Sequence, residues 1–176
     1  NPADLFLFGL QNEAALNAYI YGGLLGRIAS RAAYLFTRNT VKGSRKNIHA
    51  HYDLGNDFYA LWLDPTMTYS SALFKHTQED LVSAQHNKYD RIIERMDSSG
   101  TVLEIGCGWG GFAERALQAK DVAIRGLTIS EEQHAYASKR LRGQADIALE
   151  DYRIQQGKYD TIVSIEMFEA VGERFW

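Results

Sequence analysis

V-L-E-I-G-C-G-W-G-G, residues 102–111, is the stretch whose reading decides the fold. An apolar run reaches a glutamate, Glu104, and then meets glycines at 106, 108, 110 and 111. Residues 101–105 read as a buried strand, and an amphipathic helix begins at Phe112, so the glycines form the turn between them. Glycine suits that turn because it accepts positive φ and lacks a Cβ, which lets a ligand lie against bare backbone amides. In an α/β sheet the crevice at the carboxyl ends of the strands is where cofactors bind.

Gly106-Cys107-Gly108-Trp109-Gly110-Gly111 also satisfies G-x-G-x-x-G, the dinucleotide fingerprint. That fingerprint needs an acidic residue at the end of the second strand to hold a ribose. Here the second strand, about 122–127, runs into Thr128-Ile129-Ser130, and no carboxylate follows until Glu131. Glu104 has no part in the dinucleotide pattern and is the group expected beside an ammonium or sulfonium. The arrangement resembles the E/D-x-G-x-G-x-G motif of class I S-adenosylmethionine (SAM) methyltransferases. Glu104 can equally bond the amides of the glycine loop, and the two roles are compatible.

Composition narrows the class. The chain has 176 residues, 45% hydrophobic and 23% charged, an ordinary soluble composition for one core domain and a modest appendage. Cys107 is the single cysteine, which excludes a disulfide framework and fits a reducing, cytoplasmic setting. As a small residue in a tight turn, with no histidine adjoining it, Cys107 reads poorly as a nucleophile. The net charge of -3 hides an asymmetry: residues 22–46 carry six basic side chains and no acidic one, whereas 47–176 carry 13 basic against 20 acidic. The basic stretch also holds Leu24, Leu25, Ile28, Tyr34, Leu35 and Phe36. Basic and amphipathic together favour an anionic membrane surface over nucleic acid, which places the protein at the inner membrane face as a peripheral protein. A solvated helix packed on its own domain has the same pattern. The uncharged stretch 14–26 is too short to span a bilayer, and no signal peptide is visible.

Along the chain, residues 1–47 read as a helical, basic segment and linker, and 48–176 as the domain that the resemblance of the glycine loop implies to be a SAM-binding methyltransferase domain. Thr77 is the expected cap of a helix running to about Met96. Strands are expected at 101–105, 122–127, 146–149 and 161–165, with helices at 111–119 and 131–142. Ser130 and Gln133 make a capping box at the start of the last helix. Alternating strands and helices predict a doubly wound, mostly parallel α/β sheet. An open edge after the fourth strand suggests a fragment of a longer protein, truncated at its C-terminal side.

Five segments occur in one order: H-Y-D-L-G-N-D (51–57), L-D-P-T-M-T-Y-S-S-A-L-F (63–74), residues 102–111, G-L-T-I-S-E-E-Q (126–133) and S-I-E-M-F-E-A-V-G (164–172). Together they resemble the cyclopropane-fatty-acyl-phospholipid synthases, including the mycolic acid cyclopropane synthases. The resemblance implies a Rossmann-like class I fold and methyl transfer from SAM to the cis double bond of unsaturated phospholipid acyl chains. It implies that Tyr69 and Ser70 meet the methionine end of SAM, and that Glu104 with Gly106, Cys107, Gly108, Trp109, Gly110 and Gly111 wraps its methionine and ribose portions. Thr128, Ile129, Ser130 and Gln133 would follow the ribose and methionine edges, and Asp151 and Tyr152 would close over adenine. Glu169 matches a glutamate that holds a bicarbonate acting as base, and Ser71, at the position of a cysteine in many members, is the second catalytic candidate, able to serve through its backbone but without the thiol. Glu166 is a second carboxylate in the same loop.

An alkene is a weak nucleophile, so the methyl donor must be held in line and dry; positioning contributes roughly 7–11 kcal/mol in such reactions. A cation formed on the acyl chain can be stabilised by a ring face, by about 2 kcal/mol where water is excluded. Tyr52, Phe58, Trp62, Tyr69 and Phe168 are the candidates, each also suited to plain core packing. The chain carries Tyr69-Ser70-Ser71 where many members have Tyr-Ser-Cys, and Glu169-Ala170-Val171 where they have Glu-His-Val. These variants look more like the branch associated with methylene- or methyl-branched fatty acids, which is the alternative product. A non-catalytic module that binds SAM or lipid, and a homo-oligomer, are further readings.

Overall fold

The computed structural model describes residues 2–13, 15–16 and 55–171. The basic stretch 22–46, the linker, Tyr52 and the end of the chain from Gly172 lie outside the described residues. Two compact units are present, Asn1–Gly43 and Ser44–Trp176. In the first, helix α1 (Pro2–Gln11) exposes Leu5, Phe6, Leu7, Phe8 and Leu10. Among the described residues no helix is long and apolar enough to cross a membrane.

The second unit runs α2 (Gly55–Ala60), α3 (Leu81–Ile93), β1 (Ser99–Ile105), α4 (Gly111–Ala119), β2 (Asp121–Thr128), α5 (Glu131–Leu141), β3 (Asp146–Leu149), a 3-10 turn (Tyr152–Ile154), β4 (Thr161–Ser164) and α6 (Phe168–Val171). The four strands form one parallel sheet in the order β3-β2-β1-β4. Chain order reverses between β1 and β4, and a reversal of this kind opens a crevice at the carboxyl ends of the two strands. The glycine loop leaves β1 at that point.

Alternation along the strands divides the core. Val102, Ile124, Ile147 and Val163 point to one face, where Tyr89 and Ile93 of α3, Phe112 and Ala116 of α4, and Ala137 and Leu141 of α5 cover them. Leu103, Ile105 and Leu127 point to the other, beneath Ala148, Tyr152, Tyr159, Met167 and Phe168. Phe112, Leu127, Leu141 and Val102 are the largest fully buried side chains. Each contributes about 1.5–3 kcal/mol by leaving water.

The strands fall where the apolar runs place them, with β1 starting two residues early at Ser99. Helix α3 starts later than expected. Asp80, not Thr77, is its N-cap, and the Asp80 carboxylate accepts from Ser83 N (2.9 Å) and Ser83 Oγ (2.8 Å). Glu79 closes the preceding turn by accepting from Lys75 N at 2.7 Å, so the chain is not helical there. The helix ends at Ile93, yet Met96 stays buried because Arg95 N and Met96 N continue in tight three-residue turns onto Ile92 O and Ile93 O. The capping box at α5 is half formed. Ser130 Oγ accepts from Gln133 N at 3.3 Å, but the Gln133 side chain turns instead to Thr128.

Candidate cofactor site

Local rules build the floor of the crevice. Gly106, Gly108 and Gly110 take φ of 80°, 53° and 82°, the left-handed region that favours glycine. Gly106 N and Cys107 N both donate to Leu127 O at 2.9 Å, which pins the loop to the end of β2. A Cβ at Gly108 would meet nothing within 4 Å, so the loop opens onto free space at its middle. Gly111 answers a different need: a Cβ there would lie 3.0 Å from Tyr89 Oη, 3.1 Å from Thr66 O and 3.3 Å from Thr68 Oγ1.

Beneath the loop is Glu104, 4% exposed, with its Oε2 buried and without a hydrogen-bond partner. Burial pushes its carboxyl up to about 8, so the group is largely protonated at neutral pH. A buried carboxylate oxygen without a donor is costly unless a ligand supplies one. Cys107 is buried beside it, and both burial and the Glu104 charge raise its thiol, which argues against a thiolate nucleophile. Trp109 is buried too, and its Nε1 donates to Asn56 Oδ1 at 2.6 Å. Asn56 in turn donates to Glu132 at 3.2 Å, so α2, the glycine loop and α5 are joined.

The second strand contributes a compact polar cluster. Thr128 Oγ1 donates to Gln133 Oε1 at 2.9 Å and accepts from Ser130 N at 3.2 Å; all three residues are buried, and Ile129 is half-buried. After β3, the Asp151 carboxylate accepts from Arg153 N and Arg153 Nε at 3.0 and 2.8 Å. Tyr152 packs edge-on against Phe168, with ring centroids 5.9 Å apart.

The other wall is aromatic. Tyr59 is buried at the centre of Phe58, Trp62, Tyr69 and Trp109, with centroid distances of 5.1–5.7 Å. Tyr69 and Trp62 remain about half exposed, at 48% each, and meet edge to face at 5.4 Å. Phe168 therefore lies with Tyr152, apart from this ring cluster. Ser71 and Glu169 are exposed, and Glu169 stands in the first turn of α6. Ser71 is tied to Glu166: its N–H donates to Glu166 Oε1 at 2.9 Å, and its Oγ makes a still shorter bond to the same oxygen.

Two groups in this region have no counterpart in the sequence-based expectations. Lys88 of α3 donates to Ser70 Oγ and to Ser71 O (2.8 Å). Asp64 is buried and accepts from Thr66 N, Thr66 Oγ1 and Thr68 N at 3.0, 2.6 and 3.3 Å. The spacing D-x-T-x-T was available as a signal for Asp64. Lys88 had none, because its partners lie 17 and 18 positions away.

The family model described as mycolic acid cyclopropane synthetase matches residues 39–176. The chain belongs to the mycolic acid cyclopropane synthetase family. It is 42% identical over 147 residues to the tuberculostearic acid methyltransferase UfaA1 of Mycobacterium tuberculosis, covering 76% of this chain and 34% of that one. To the cyclopropane-fatty-acyl-phospholipid synthase of Escherichia coli it is 45% identical over 127 residues, covering 70% and 33%. Among solved structures, the cyclopropane synthase CmaA1 complexed with SAH and CTAB superposes with a TM-score of 0.70 at 35% identity, over 74% of this chain and 48% of that one. The fold of this chain is thus the class I methyltransferase fold, and it spans about a third of the length of these curated relatives.

Proposed function

We propose that the chain is the cofactor-binding part of a SAM-dependent C-methyltransferase acting on the cis double bond of unsaturated phospholipid acyl chains, with cyclopropane fatty acids as the product. The observation that carries this reading is the buried, partnerless Glu104 Oε2 beneath a glycine loop that opens onto free space. A zwitterionic cofactor with an ammonium group fits that pairing, whereas a pyrophosphate would meet a carboxylate in the floor.

SAM, when bound, supplies an electrophilic methyl group on a sulfonium. Glu104 and the loop 106–111 bind its methionine and ribose portions. Thr128 orients the Gln133 carboxamide through the 2.9 Å bond to its Oε1, so that Gln133 with Ile129 and Ser130 lines the ribose edge. Asp151, braced by Arg153, and Tyr152 line the adenine side. Tyr69 and Ser70 hold the methionine end, and the half-exposed rings of Tyr69 and Trp62 keep water from the reacting alkene. Glu169 would hold a bicarbonate, which would supply the base that ring closure needs, with Ser71 positioned through its bonds to Glu166. The basic stretch 22–46 brings the protein to an anionic membrane surface at the inner, cytoplasmic face, where its acyl substrates lie.

Full-length protein incubated with methyl-labelled SAM and vesicles of unsaturated phosphatidylglycerol tests the reading. Fatty acid methyl esters analysed by mass spectrometry should gain one labelled methylene and resist mild hydrogenation. A labelled product that hydrogenates is methylene-branched and overturns the ring-closing step. No label in lipid overturns the activity.

A further inference from the structure

Residues 70–73 lie along α3 as a strap. Gln85 Nε2 donates to Ser70 O (2.9 Å), Asn87 Nδ2 to Leu73 O (3.3 Å), and Leu73 N to Ala84 O (3.0 Å). Lys88 adds the only charge from this helix to touch the strap among the described residues, bonding Ser70 Oγ and Ser71 O. On the far side of Ser71 stands Glu166, which accepts from Ser71 N and Oγ across 95 positions of sequence. Ser71 is therefore held on three atoms, by an ammonium on one side and a carboxylate on the other.

Backbone strain marks the same device. Met67 and Glu166 are two of the three non-glycine residues at positive φ, 55° and 51°, among the described residues. They sit just before the strap and at its partner. For a residue with a Cβ that conformation costs about 1–2 kcal/mol and persists where surrounding contacts impose it. Glu166 is followed by Met167, whose Cγ lies where a Cβ on Gly106 would come within 3.0 Å. The loop after β4 is thereby seated on the glycine loop at one point and on the strap at another.

We propose that Lys88 is a positioning residue for methyl transfer: through Ser71 it fixes Glu166, and so sets the loop after β4 that leads into Glu169 in the first turn of α6. The inference rests on the methyltransferase reading above. A role in stability alone is poorly served by this lysine. Burial lowers its ammonium to about 8, and an apolar side chain of similar length would avoid that desolvation.

The test uses full-length enzyme with Lys88→Met, Lys88→Arg, Glu166→Gln and the Lys88→Met/Glu166→Gln pair. Lys88→Met should keep the wild-type Tm or exceed it and lower kcat at least tenfold, while the Kd for S-adenosylhomocysteine rises by a clearly smaller factor, the part due to the lost bond to Ser70. Lys88→Arg should recover much of the lost kcat. The double variant should be no slower than the slower single, because both act through one residue. Additive losses, an equal loss of cofactor affinity, or full activity in Lys88→Met would each overturn the proposal. Wild-type enzyme that fails to bind S-adenosylhomocysteine would overturn the methyltransferase reading itself, a distinct result.

Discussion

The turn at 64–69 and the loop at 104–111 each bury one carboxylate, and they treat it in opposite ways. Asp64 collects three donors from its own turn, and the chain of hydroxyls continues from Thr66 through Thr68 to Tyr89 at 2.6 and 2.7 Å. Arg140 adds a 2.7 Å bond to Thr66 O while pairing with Glu114, so the turn is tied to both α4 and α5. Glu104 leaves one oxygen with no donor, although it lies as deep. A fully satisfied carboxylate holds structure together, and one left short of donors is kept for something that arrives.

Four measurements sharpen or break that contrast. The largest effect is expected at Asp64: Asp64→Ala strands three donors and should cost roughly 3–5 kcal/mol in denaturant unfolding. A cost below about 1 kcal/mol would remove the structural role given to it. Glu104→Gln should leave stability at pH 5 within about 1 kcal/mol of wild type, exceed it near neutral pH, and weaken S-adenosylhomocysteine binding on the order of a hundredfold, measured by calorimetry. The reverse pattern would exchange the roles of the two carboxylates.

A third measurement uses pH. Because the folded carboxyl of Glu104 lies near 8, above its ordinary value of 4.5, its contribution to stability is complete below 4.5 and is lost as pH rises through about 8. Ligand-free protein should therefore lose stability between pH 5 and 8 relative to Glu104→Gln. Cofactor affinity should move the other way, rising about tenfold per pH unit up to near 8, because the ammonium selects the ionised form. A flat affinity profile would separate Glu104 from the ligand. The smallest effect belongs to Trp109→Phe, which removes the bond to Asn56 and should cost about 1–2 kcal/mol, read as a lower Tm.

The local geometry of the candidate site could be read from the sequence where its parts are close along the chain. Gly106–Gly111, Glu104, and the Thr128–Gln133 cluster each lie within one strand-to-helix connection, where glycine conformation, capping and periodicity act over six or so residues. The strands were legible for the same reason. Errors came where two local signals competed: Thr77 and Asp80 both suit an N-cap, and Ser83 at the third position favoured Asp80. The strap was illegible because Lys88, Ser71 and Glu166 are brought together only by the packing of α3 and β4 around β1. The Thr128–Gln133 bond likewise replaced the reciprocal half of the capping box, a choice made by side-chain orientation and not by sequence pattern.

Gly108 separates what the protein needs for itself from what it offers to others. Of the loop glycines at positive φ, Gly106 abuts Met167 and Gly110 abuts Leu141 and Ala137, whereas Gly108 faces vacancy. A methyl group there intrudes on no neighbour, and its left-handed φ adds a penalty of only about 1–2 kcal/mol. Alanine at this one position is thus expected to fill the space offered to a guest while the host keeps its shape, a control that separates occupancy from folding.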